Sequence, residues 1–88
     1  MKKITKVSQL EKGDYVICGG CFGRVLEIFK DNVTIDMIVP NVPNVSNQEY
    51  RGTFVWSQEN RKFGLKGIVN ATSDLYKLSK EEFLMEQV

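Results

Sequence analysis

The chain has 88 residues, 42% of them apolar and 26% charged, with twelve Lys and Arg against eleven Asp and Glu and no histidine. That length holds one small domain, and the composition is that of a folded globule rather than a disordered chain. The absence of histidine removes imidazole-based catalysis and His-containing zinc sites, and no apolar run approaches the ~18 residues of a membrane span. Residues 1–72 carry ten basic and seven acidic residues, whereas 73–88 carry two and four. A mildly basic body therefore runs into an acidic tail, without the large basic excess typical of a nucleic-acid binder.

In chain order, Ser8-Gln9-Leu10-Glu11 has the spacing of a capping box, in which a hydroxyl and a carboxylate satisfy free amides at a helix start. Gly13-Asp14 follows at once, so residues 1–12 are expected to be a lead-in turn. Tyr15-Val16-Ile17-Cys18 is rich in strand formers and meets Gly19-Gly20, a pair suited to the positive φ of a tight turn. Gly23-Arg24-Val25-Leu26-Glu27-Ile28-Phe29 reads as the next strand. Val25 and Ile28 are three apart, which breaks alternation and predicts a bulge or strong coiling. Lys30-Asp31-Asn32 is a short hairpin connection. Val33, Ile35 and Met37 then alternate with Thr34 and Asp36, which assigns the first three to the core.

Two prolines and three asparagines predict a long loop over residues 40–50. Thr53-Phe54-Val55-Trp56-Ser57, Phe63 to Val69, and Leu75-Tyr76-Lys77-Leu78 read as further strands. Ser79-Lys80-Glu81-Glu82 is a second capping box opening a short helix over 79–88, with Phe83, Leu84, Met85 and Val88 as its apolar side. Such a helix is too short to stand alone in water and must dock. Five or six short strands without a long helix predict a mainly β fold, a small barrel of the SH3-like kind with a short C-terminal helix, in one domain spanning 1–88.

The run Lys12-Gly13-Asp14-Tyr15-Val16-Ile17, Gly19-Gly20, Gly23-Arg24-Val25-Leu26-Glu27-Ile28 and Asp31-Asn32-Val33-Thr34-Ile35 resembles the KOW-type segment of SH3-like barrels. Its glycine spacing is similar to that of the soluble domain of YajC, a translocase accessory protein. The resemblance covers residues 10–37, under a third of the chain. It implies a fold of coiled strands and glycine turns, and a domain that binds RNA, DNA, peptides or another copy of itself. YajC carries a membrane helix ahead of that domain, so its membrane role is not transferred to this sequence.

Chemistry is sparse. Cys18 and Cys21 lack an imidazole partner, two thiols fall short of the four ligands of a structural zinc site, and Gly-Gly-Cys-Phe-Gly lacks the ending of a phosphate loop. The cysteines read as free thiols, packed or flanking the turn, in a reducing cytoplasm; a metal or redox role is the lesser alternative, since redox pairs usually open a helix rather than a glycine turn. No enzyme activity or cofactor is expected, and no metal site is assigned. The expectation is a binding module. Tyr50-Arg51-Gly52-Thr53-Phe54-Val55-Trp56 and Arg61-Lys62-Phe63-Gly64-Leu65-Lys66 interleave rings with cations, as a surface for RNA or single-stranded nucleic acid would. Alternation puts Phe54 and Trp56 on one face, where filling the barrel is the competing role. The candidate contact residues are therefore Arg24, Tyr50, Arg51, Arg61, Lys62, Phe63 and Lys66, with Tyr50 and Phe63 offering exposed rings. The alternative is a protein-interaction adaptor or inhibitor. It would use barrel edges and the loop around residues 39–48, with Val42 and Val45 meeting a partner or a second copy.

Overall fold

The computed structural model describes residues 1–39, 50–65 and 71–86. They form strands β1 (Lys2–Ile4), β2 (Tyr15–Cys18), β3 (Cys21–Ile28), β4 (Asn32–Val39), β5 (Tyr50–Ser57), β6 (Lys62–Leu65), β7 (Ala71–Thr72) and β8 (Leu75–Leu78), followed by helix α1 (Lys80–Glu86). The strands join one antiparallel sheet in the order β1-β8-β2-β3-β4-β5-β6-β7.

That order dictates the curl. In a flat sheet β8 and β7 would lie six strand spacings apart, about 29 Å at ~4.8 Å each. Only Ser73 and Asp74 connect them, and three Cα steps reach at most about 11 Å. The sheet must roll back on itself, and the described residues form a curled half-barrel around a continuous apolar interior. Val16, Cys18, Val25, Val33, Ile35, Met37, Trp56 and Leu75 fill it, with Ile4, Val7 and Leu10 joining from the lead-in.

The glycine-rich first half folds as its residues predict. Gly19 and Gly20 take φ of 59° and 79° between β2 and β3. The register between β3 and β4 shifts between Val25 and Glu27, so Leu26 is the extra residue of the expected bulge. Gly23 lies opposite Met37 on the crowded inner face of β3. A Cβ there would come within 2.6 Å of Ile35 Cγ2, 2.9 Å of the Asp36 carbonyl oxygen and 2.9 Å of Met37 Cγ.

The lead-in departs from expectation. Residues 2–4 are not part of a turn but pair with β8, Ile4 opposite Leu75. The helical turn is one 3-10 turn over Val7–Gln9, earlier than the Ser8 spacing implies. Gln9 Oε1 closes it by accepting from the backbone N–H groups of Thr5 and Lys6, at 2.8 and 3.0 Å. Glu11 makes no capping box. Instead its N–H donates to the Asp14 carboxylate at 2.7 Å. β1 and the two-residue β7 bring the strand number to eight. Tyr50, expected to end the long loop, begins β5 opposite Val39.

The terminal helix follows its signal. Ser79 Oγ accepts from the Glu82 N–H at 3.1 Å, and the Glu82 carboxylate accepts from the Ser79 N–H at 3.0 Å. Of its apolar residues Phe83 makes the dock, stacked on Tyr15 with ring centroids 4.3 Å apart and edge-on to Phe22 at 6.1 Å. Leu84 and Met85 face solvent at 55% and 77% exposure.

Candidate interaction surface

The aromatic-basic segment does not form a stacking platform across its described part. Phe54 and Trp56 lie opposite Ile35 and Val33, both buried, and so share the inner face of the sheet. Trp56 is 0% exposed, and its indole Nε1 donates to the Ser73 carbonyl at 2.9 Å. Phe63 pairs with Trp56 across β5 and β6. Its half-buried ring stacks on Phe54 at 6.0 Å and packs against the core. Phe63 is thus part of the barrel wall rather than an exposed ring at a loop edge, because its place opposite Trp56 turns it inward.

Two predicted cations have structural partners. Arg24 Nε donates to the Gly13 carbonyl at 3.0 Å, and the guanidinium carbon sits 5.2 Å from the Tyr15 ring centroid. Arg24 therefore clips the turn before β2 to the aromatic cluster under α1. Arg61, at φ 53°, donates to Asp74 Oδ1 at 2.9 Å, and Lys3 Nζ lies 3.6 Å from Asp74 Oδ2. The Ser73 N–H also donates to the Arg61 carbonyl at 2.8 Å.

Ser73 and Asp74 thereby join the start of β6 to β1 and β8. They form a polar seam that closes the curl without strand pairing. Sequence reasoning missed this seam. Its one signal is that only two residues separate Thr72 from the apolar Leu75.

Lys62 is exposed, and among the described residues it makes no ion pair. Tyr50 and Arg51 stand opposite Val39 and Ile38 on β5. Lys66, Val42 and Val45 lie outside the described residues.

A different surface remains open. The Gln58 N–H donates to the Asp31 carbonyl at 3.0 Å, and its side-chain oxygen accepts from the Val7 N–H at 2.8 Å. One glutamine thus gathers the turn after β5, the β3–β4 hairpin and the Val7–Gln9 turn at one end of the fold. Phe29, in that hairpin, is 51% exposed, and Leu26, on the bulge of β3, is 42% exposed. Lys6, Lys30 and Lys62 flank these segments. None of the three has an ion-pair partner among the described residues.

The thiols are poor nucleophiles. Burial pushes Cys18 up to about 11 against a smaller opposing pull from the nearby Ser73 side chain, and burial also raises Cys21. Both are protonated at neutral pH. No group of three metal-ligating side chains occurs among the described residues, and no helix among them is long and apolar enough to cross a membrane. A cleft of about 320 Å³ beside the seam is lined by Met1, Ile17, Gly19, Gly20, Ser73, Asp74 and Tyr76. Its carboxylate, Asp74, is already held by Lys3 and Arg61. Comparisons of the chain with protein-family models, with curated proteins and with solved structures return no match.

Proposed function

We propose that the protein is a non-enzymatic binding module that engages a protein partner. The observation that carries this reading is an exchange of exposure. The rings at 54, 56 and 63 fill the barrel, while Phe29 and Leu26 face solvent around the bulge and hairpin of β3. An exposed aromatic with an aliphatic neighbour three residues away, rimmed by Glu27, Lys30 and Asp31, has the make-up of an interface anchor and its polar surround. A sheet that runs as a meander from β2 to β6 and returns its last strand beside β2 accords with the SH3-like resemblance, whose domains serve as binding modules.

The deciding experiment immobilises the full chain and its Leu26→Ser/Phe29→Ser variant and compares what each retains from its native lysate. Both residues are exposed, so the variant should melt as the parent does. A retained protein lost from the variant supports the reading; identical retention by both contradicts it.

Binding to single-stranded nucleic acid is the second reading, favoured by Lys6, Lys30 and Lys62, which are exposed, have no ion-pair partner among the described residues, and flank the segments that Gln58 ties together. It requires an oligonucleotide affinity that falls steeply with salt and weakens on Lys6→Ala/Lys30→Ala/Lys62→Ala substitution. Arg61→Ala is the poorer probe, because it also breaks the contact with Asp74.

A further inference from the structure

Cys18 and Cys21 stand directly opposite each other at the end of the β2–β3 hairpin. The two residues between them, Gly19 and Gly20, both have positive φ, the conformation of the tightest antiparallel connection. Directly opposed residues of antiparallel strands have Cα atoms about 4.5–5.5 Å apart and side chains on the same face. A disulfide accepts Cα separations of about 4.4–6.8 Å. Both thiols are free; Cys18 is 1% exposed in the core, and the half-buried Cys21 packs against the same core.

We propose that Cys18 and Cys21 form a thiol–disulfide site, closing to an intramolecular disulfide by exchange with a small external disulfide of the glutathione class. Cys21 is the point of attack, because it alone is partly open to solvent. Its thiolate displaces one glutathione thiolate and leaves a mixed disulfide on Cys21. Cys18 then releases its proton to solvent, and its thiolate attacks the Cys21 sulfur, expelling the second glutathione. Two protein thiols are oxidised and one glutathione disulfide is reduced to two thiols. Burial keeps both thiols protonated at neutral pH, so exchange is slow there and quickens as pH rises.

Closure also has a consequence beyond the hairpin. The Ser73 side chain is close enough to Cys18 to bear on its acidity, and the Ser73 carbonyl receives the indole N–H of Trp56. Consuming the Cys18 thiol therefore changes the surroundings of Ser73, next to the only tryptophan of the chain.

The test uses the full native chain. It is incubated with oxidised glutathione at pH 7 and pH 8, then denatured, alkylated and weighed intact. The expected product is a monomer lighter by two hydrogens, carrying no alkyl group and no glutathione, and formed faster at the higher pH. The Cys18→Ser variant should stop at a glutathione adduct on Cys21, and Cys21→Ser should remain unmodified. The wild-type arm decides even if a variant folds poorly. A persistent glutathione adduct on the wild type, a disulfide-linked dimer, or two fully alkylatable thiols after prolonged incubation would overturn the site.

Discussion

Two aromatic clusters hold this fold, one on each face of the same sheet. Inside, Trp56, Phe54 and Phe63 line the curl, and the one polar atom of the tryptophan is satisfied by the Ser73 carbonyl. Outside, Phe83 of α1 rests on Tyr15 and Phe22, with the Arg24 guanidinium over the Tyr15 ring. The inner cluster is assembled by pairing of successive strands, while the outer one joins rings from near opposite ends of the chain and fastens a helix whose own cap is local. Ring content alone therefore says little about ligand binding; the face a ring occupies decides what it can do.

Substitutions can pull these clusters apart. The largest effect should come from Trp56→Ala, which empties a fully buried site and orphans the Ser73 carbonyl. A loss of about 3–5 kcal/mol in denaturant melts is expected, enough to unfold much of a marginally stable domain. Gly23→Ala should cost about 1–3 kcal/mol, because the new methyl must displace Ile35, Met37 and the Asp36 carbonyl. Phe83→Ala should cost about 1–2 kcal/mol. Amide exchange should then show α1 losing protection while β2 to β4 keep theirs. Equal loss throughout would mean that the outer cluster is part of the core unit. Ser79→Ala should act in the same direction with about 1 kcal/mol, by removing the cap of α1.

The gentlest lever is pH. An unfolded Cys18 loses its proton near its ordinary value of 9.0, whereas the folded thiol holds it to about 11. The folded state therefore binds more protons between those values, and stability falls as pH rises from about 9 to about 11. Melts of the parent and of Cys18→Ala across that range should show a shallower decline in the variant.

The parts of the fold legible in the sequence are those set by neighbours. The Gly19-Gly20 turn, the bulge betrayed by the spacing of Val25 and Ile28, the buried alternation of Val33, Ile35 and Met37, and the Ser79–Glu82 cap are each written within a few residues. β1 and β7 are too short to carry a pattern, and they exist only through pairing with β8 and β6. Alternation places Phe54 and Trp56 together but leaves open which face is inside; register with Val33 and Ile35 decides it. Phe63 is turned inward by its partner Trp56, and Arg61 is drawn to Asp74 thirteen residues on. The first needs the register of the β5–β6 hairpin and the second the return of the chain at Ser73 and Asp74, and residue types alone specify neither. The exposed Phe29 was legible only as the end of a strand, and the exposure of Leu26 accompanies the bulge.

Because the chain has a single tryptophan, its fluorescence reports directly on whether the aromatic segment is wall or platform. Burial of Trp56 behind the curled sheet predicts blue-shifted emission that resists iodide quenching in the native protein and becomes red-shifted and quenchable on unfolding. Emission that is already red-shifted and freely quenched in the native state would contradict the closed interior and return the aromatic segment to the surface.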